Sequence, residues 1–173
     1  NGILLIPSFA VERAQLLMYY LWQLKNARSI PDIPVYLDSP MGANVLKILH
    51  HSSKWHKLSA ADCEEMCRNI KVTTSYKDTL EIMRDSKPKV IIAGSGMVNG
   101  GRILNYLAQY SYKENTTILL AGYQAEGTNG RHLQEGAEEL KIYGKYYRVK
   151  AKVDTLHGLS AHADQDELLD WLS

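Results

Sequence analysis

The sequence predicts an α/β fold: a doubly wound, mostly parallel sheet with helices on both faces, then a C-terminal antiparallel strand or hairpin and a short terminal helix. Two observations carry that prediction. Short apolar runs alternate with longer stretches of helical periodicity, the rhythm of βαβ units covered on both faces. After Leu140 the character changes, and Tyr147, Val149, Ala151 and Val153 alternate with polar or charged neighbours, as in a half-exposed strand of a hairpin.

Taken in order, residues 3–6 form the first apolar run and 10–27 the first helical segment. There Ala14, Leu17, Met18, Leu21 and Leu24 make an apolar stripe, which leaves Glu12, Arg13 and Gln23 to face water. Residues 35–37 and 43–54 repeat the strand-then-helix pattern, and Ser59 followed by Asp62 starts another helix. The run at 90–93 leads through glycines into a helix at 102–110, and the run at 116–121 leads through a second glycine turn into a shorter helix near 128–134. Asp164 with Glu167 three residues on caps a final helix. The doubly wound unit itself ends near residue 140. No internal repeat and no low-complexity segment interrupts it.

At 173 residues, 45% apolar and 23% charged, the chain has the composition of a globular domain with one core of ordinary size. Twenty basic against nineteen acidic side chains give a net charge of +1, so no global field draws it to nucleic acid or membrane. A polyanion must be gripped locally, by few phosphate contacts and with a shallow salt dependence. Cys63 and Cys67, four apart in a polar helical pattern, suit reduced thiols on one helix face and a cytoplasmic setting. No apolar run approaches a membrane span, and nothing at the start reads as a signal peptide. The chain lacks an initiator Met and enters a strand almost at once, at Gly2, as an excised piece of a longer protein would.

Parallel strands send every strand-to-helix connection out on one edge of the sheet, the edge that ligands favour. The richest connection, GSGMVNGGR at 94–102, exposes backbone N–H groups at a helix start, with the Ser95 hydroxyl, the close approach that Gly96 allows and a bidentate Arg102 as anion contacts. A tight turn with Gly96 left-handed and Arg102 solvated accounts for the same residues. The spacing fits neither a dinucleotide fingerprint nor a nucleophile elbow. The second glycine loop, running to Gly136, repeats the logic: Thr128 caps its helix and Arg131 lies in the first turn, with anion contact as a compatible role for both. His50, His51 and His56 lie in a lysine-flanked helix without metal-ligand spacing and read as surface residues, as does His132. His157 reads as structural.

His162 differs. It sits among glycine, serine and alanine in GLSAHAD at 158–164, directly before the helix that Asp164 caps, with room for a large ligand. The positive helix terminus resists protonation of its imidazole, whereas Asp164 or a bound phosphate favours it. A proton donor to a leaving oxygen and a satisfied structural histidine both fit this pattern.

Together IPSFAVERAQ (6–15), PVYLDSPMG (34–42), GSGMVNGGR (94–102), GYQAEGTNGR (122–131) and GLSAHAD resemble, in order and spacing, the β-CASP RNA-processing branch of the metallo-β-lactamase superfamily. The resemblance spans nearly the whole chain. It implies an α/β β-CASP domain inserted into a metallo-β-lactamase domain, with RNA cleaved in the cleft between them by two zinc ions. It also implies that residues 1–159 are the β-CASP domain, truncated at its start, and that 160–173 begin the return into the lactamase domain. By position His162 resembles the family's motif B histidine, beside the scissile phosphate, which assists departure of the leaving group. The HxHxDH zinc motif is absent, motif A would precede Asn1, for which Asp38 is not a substitute, and motif C would follow Ser173. The expectations are therefore a catalytic His162 supported by Asp164, phosphate contacts from Ser95, Gly96, Arg102, Thr128 and Arg131, and no metal ligand in this chain. RNA, the rest of the polypeptide and a second copy of the longer protein are the expected partners, and the chain alone is expected to be inactive. A free-standing nucleotide- or phosphate-binding module and a non-catalytic scaffold for partner proteins are the competing readings.

Overall fold

The computed structural model describes residues 2–159 and 162–173. Six parallel strands form the main sheet in the order β3-β2-β4-β1-β5-β8: β1 is Ile3–Pro7, β2 Val35–Asp38, β3 Ile70–Thr73, β4 Lys89–Ala93, β5 Thr116–Leu120 and β8 Lys152–Thr155. The central strand β4, KVIIA, is buried at every residue, as a strand covered on both faces must be.

Helices cover the two faces by direction of travel. α1 (Arg13–Asn26), α2 (Pro40–His51) and α3 (Ala60–Asn69) connect strands toward the β3 edge and pack Leu17, Met18, Trp22, Leu46 and Met66 on one face. α4 (Tyr76–Arg84), α5 (Ile103–Tyr110) and α6 (Asn129–Gln134) connect strands toward the β8 edge and pack Ile82, Ile103, Leu107 and Leu133 on the other. A uniform crossover hand requires this segregation. Most helix starts are written locally. Ser39 accepts from the Gly42 N–H with Pro40 at the first helical position, and Ser59 with Asp62 and Ser75 with Asp78 form complete capping boxes.

The alternating segment after Leu140 divides where Tyr147, Val149, Ala151 and Val153 suggested one strand. β6 (Glu139–Ile142) and β7 (Lys145–Arg148) form a separate antiparallel hairpin around Tyr143 and Gly144, both with positive φ, as its two-residue turn demands. The chain then crosses to the sheet edge, held by Lys150 and Ala151 N–H groups that both donate to the Ser111 carbonyl, and β8 pairs parallel with β5. A period of two reports which residues face inward and is silent on the partner strand. Within α1 the buried stripe is Ala14, Leu17, Met18 and Trp22, whereas Leu24 is exposed. β3, α4 and β6 emerge only in the structure, although Ser75 and Asp78 carried the signal for α4.

Lys89 is wholly buried at the start of β4. Its ammonium donates to the Ile82 carbonyl at 2.8 Å and to the Asp85 carbonyl, so it closes the C-terminal end of α4. Burial holds its pKa below the ordinary value, and Asp85 opposes that effect. Cys63 and Cys67 are free thiols on α3, and no helix among the described residues is long and apolar enough to cross a membrane.

Candidate functional site

α1 leaves β1 on one face and α6 leaves β5 on the other, so the connections diverge between these adjacent strands at the C-terminal edge of the sheet. Such a divergence opens a crevice. A cleft of about 460 Å³ lies there, walled by the ends of β1 and β5, the turn after β4 and the segment after β8. Its lining includes Arg13, Arg131, His157 and His162 and no carboxylate among the described residues. Phe9 and Tyr123, 50% and 74% exposed, add aromatic surface.

Arg13 is not solvated as the helix pattern predicts. Its guanidinium donates to the Ala121 carbonyl and lies against Gly122, where a Cβ would come within 2.2 Å of Nη1. Gly122 also has φ 139°, so glycine serves both the close approach and the backbone. This contact ties the start of α1 to the end of β5.

The two glycine loops form one interlocked block. In the first, the N–H groups of Ser95, Val98 and Ile103 bond to carbonyls of the same loop, and the Asn99 N–H donates to the Ser95 hydroxyl at 3.2 Å. The left-handed positions are Val98 and Gly101, not Gly96; Gly96 is needed because a Cβ there would meet the Phe9 ring at 2.7 Å. From the second loop, Gln124 Nε2 donates to the Gly96 carbonyl, Asn129 Nδ2 donates to the Val98 carbonyl, and the Gly130 N–H donates to the Met97 carbonyl. Thr128, a buried cap, donates its hydroxyl to the Ala125 carbonyl at 2.6 Å and accepts from the Arg131 N–H at 3.1 Å.

Arg102 turns away from the cleft. Its guanidinium bonds to the carboxylate of Asp38 and to the Thr74 carbonyl. Asp38, fully buried at the end of β2, also accepts from the Tyr106 hydroxyl at 2.6 Å, Thr79 at 2.7 Å and Thr73 at 3.0 Å. Burial and the hydrogen bond to Asp38 push the Tyr106 phenol far above its ordinary range. This network clamps the loop before α5 to the end of β2.

Of the residues expected at the site, Gly96, Arg131 and His162 line the cleft, while Ser95, Arg102 and Thr128 build the loops around it. Arg131 is half-buried, with Nε 2.6 Å from Glu135, which holds its pKa above the ordinary value. Asp164 accepts from the Glu167 N–H at 2.9 Å and Glu167 from the Asp164 N–H at 3.0 Å, closing the capping box of α7 (Gln165–Leu172). The intervening Ser160 and Ala161 lie outside the described residues. Arg13, Gln124 and His157 were not foreseen. His157 lies two residues past the end of β8, so its place at this edge becomes visible only once β8 is known to run parallel to β5. No group of three or more His, Cys, Asp or Glu among the described residues is placed to hold a metal ion.

The chain matches the family described as Beta-Casp domain over residues 14–133, and that described as Zn-dependent metallo-hydrolase RNA specificity domain over 146–173. It is similar to Ribonuclease TTHA0252 of Thermus thermophilus, 35% identical over 99% of this chain and 41% of that protein. It is also similar to Transcription termination factor FttA of Methanosarcina mazei, 30% identical over 99% of this chain and 29% of the relative. Probable RNase MJ4 of Methanocaldococcus jannaschii is 32% identical over 97% of this chain and 38% of its own length. The chain thus spans about two fifths or less of these relatives.

Proposed function

The chain belongs to the Beta-Casp domain family, and from that membership we propose that it forms the RNA-binding wall of a zinc-dependent ribonuclease. The observation that carries this reading is the cleft itself: two arginines and two histidines face a concave edge free of lining carboxylates among the described residues. Phosphodiesters are drawn to such a field, and Phe9 and Tyr123 offer faces on which bases stack. Arg131 and Arg13 hold phosphate charge, with Gly96 shaping the wall. Ser95, Arg102 and Thr128 keep the loops in place behind them.

His162, at the cleft rim, is the proton donor. As the oxygen of a water molecule bonds to phosphorus and gives up a proton to solvent, the P–O bond to the leaving sugar oxygen breaks, and that oxygen takes the imidazolium proton, leaving the ring neutral. In this reading the zinc ligands are supplied by other parts of the longer protein, since the sequence carries no HxHxDH motif. α7 supports the same view, since Leu168, Leu169, Trp171 and Leu172 are all exposed, as on a helix that packs against a further domain. That domain and a second copy of the longer protein are the proposed partners besides RNA, in the cytoplasm, where free thiols persist.

In a protein carrying this chain together with its metal-binding domain, His162→Ala lowers turnover by about 100-fold or more while RNA affinity changes little. Arg131→Ala weakens RNA binding instead. Equal loss of affinity and turnover in His162→Ala would make that residue structural. Metal-dependent RNA hydrolysis by the purified 173-residue chain, free of contaminating nuclease, would overturn the division of labour between this chain and the metal domain.

A further inference from the structure

A second groove, of about 580 Å³, lies between α1 and α2 and ends against the turn at Ser53–Trp55. It shares the β1–α1 connection with the cleft: Phe9 lines the cleft, and Val11 and Glu12 line the groove. Two features of this groove and its rim are unusual together. Trp55 presents its indole at 90% exposure, although burial of so large an apolar surface is normally favoured. The stretch from residue 40 to 61, of whose lysines Lys57 lines the groove and Lys54 precedes Trp55, has Lys47, Lys54 and Lys57 and three histidines but no acidic residue, in a chain whose charges otherwise nearly cancel.

An exposed indole calls for a flat ring, and adjacent ammonium groups call for anions. A nucleobase with its flanking phosphates satisfies both. Glu12 is the carboxylate among the lining residues and sits at the α1 end, away in sequence from Lys54 and Lys57.

We propose that this groove and its rim are an accessory single-stranded RNA subsite, in which one base stacks on Trp55 while Lys54 and Lys57 contact the neighbouring phosphates. The proposal rests on the RNA-binding reading above. It extends the path of the strand over Phe9 and Val11, beyond the cleft.

The test uses the 173-residue chain and an unstructured 15-nucleotide RNA of mixed sequence with a 5′ fluorescein, read by anisotropy. Trp55→Ala weakens binding about 10-fold, within the range for loss of one stacked base, and Trp55→Phe keeps most of the affinity. Replacing Lys54 and Lys57 together by Gln flattens the plot of log affinity against log salt by about 1.4, or about 0.7 for each lost phosphate contact. An RNA of the same length lacking bases loses affinity for the wild type and is indifferent to Trp55→Ala. RNA binding that is unchanged in Trp55→Ala would overturn the subsite and leave the groove as a face for a protein partner. Absence of RNA binding by the wild type would overturn this proposal and the RNA-binding wall together.

Discussion

Asp38→Ala tests how the cleft is held in shape. The substitution leaves the Arg102 guanidinium, 18% exposed, with only the Thr74 carbonyl of its two partners, and it strips the Tyr106 hydroxyl of its acceptor. Removing one member of a buried ion pair costs about 3–5 kcal/mol, and the partial exposure of Arg102 places this case near 3 kcal/mol. The orphaned phenol of Tyr106, wholly buried, adds about 1 kcal/mol. Thr79 has a second acceptor, the Ser75 carbonyl at 3.4 Å, and adds little. The sum, about 4 kcal/mol, lowers the melting temperature of a chain of this size by roughly 8–16 °C. Urea and thermal unfolding of Asp38→Ala, Arg102→Met and the double variant measure the effect. The double variant is less destabilised than the sum of the singles by about 2 kcal/mol, because removing Arg102 relieves the stranded charge. A melting temperature within 3 °C of wild type for Asp38→Ala, or additivity across the cycle, would refute the clamp.

Other substitutions probe the loops and the thiol pair. Gly101→Ala must adopt φ 71° and place its Cβ 2.2 Å from the Gly94 carbonyl oxygen, so it destabilises by about 3 kcal/mol or more; an unaltered thermal transition would contradict the packing. Gln124→Leu removes the side-chain bonds to the Gly96 and Gly122 carbonyls, each worth about 1 kcal/mol, and speeds amide exchange across residues 94–102; unchanged exchange there would show that the loops stand independently. Ser75→Ala costs α4 about 1 kcal/mol of capping, measured by urea unfolding, and a neutral result would discount the box. Burial, with a smaller effect from Cys63, pushes the Cys67 thiol up to about 11, so its alkylation rate keeps rising about tenfold per pH unit beyond pH 9. Because the fold favours the protonated thiol, the associated stability is present below the unfolded thiol's pKa of about 8.5 and is lost as the pH rises through about 11. An alkylation plateau near pH 8.5 would remove that assignment.

Much of the architecture was legible because its signals are local. The capping boxes at Ser59 and Asp164 and the cap at Thr128 mark helix starts within four residues, and the apolar run of β4 announces a strand covered on both faces. The candidate cleft was legible in part. His162 and Arg131 stand out beside glycine-rich turns, and the structure brings both to one cleft. Arg102 and Thr128 carried the same local signature, yet their polar groups are engaged in fastening loops, because a hydroxyl or guanidinium beside a turn has the same spacing whether it faces ligand or protein.

Taken alone, the sequence determined the parallel α/β class, the edge from which the strand-to-helix connections emerge and the identity of the residues at each turn, since periodicity and capping act over a few residues. Only the tertiary structure decided that β8 runs parallel beside β5, that Arg13 closes on Ala121, 108 residues away, and that Asp38 gathers Arg102, Tyr106 and Thr79. These contacts join segments far apart along the chain, and no local pattern encodes which distant carbonyl or carboxylate a side chain will reach. Strand pairing and core packing set that, by bringing the strand ends to one edge.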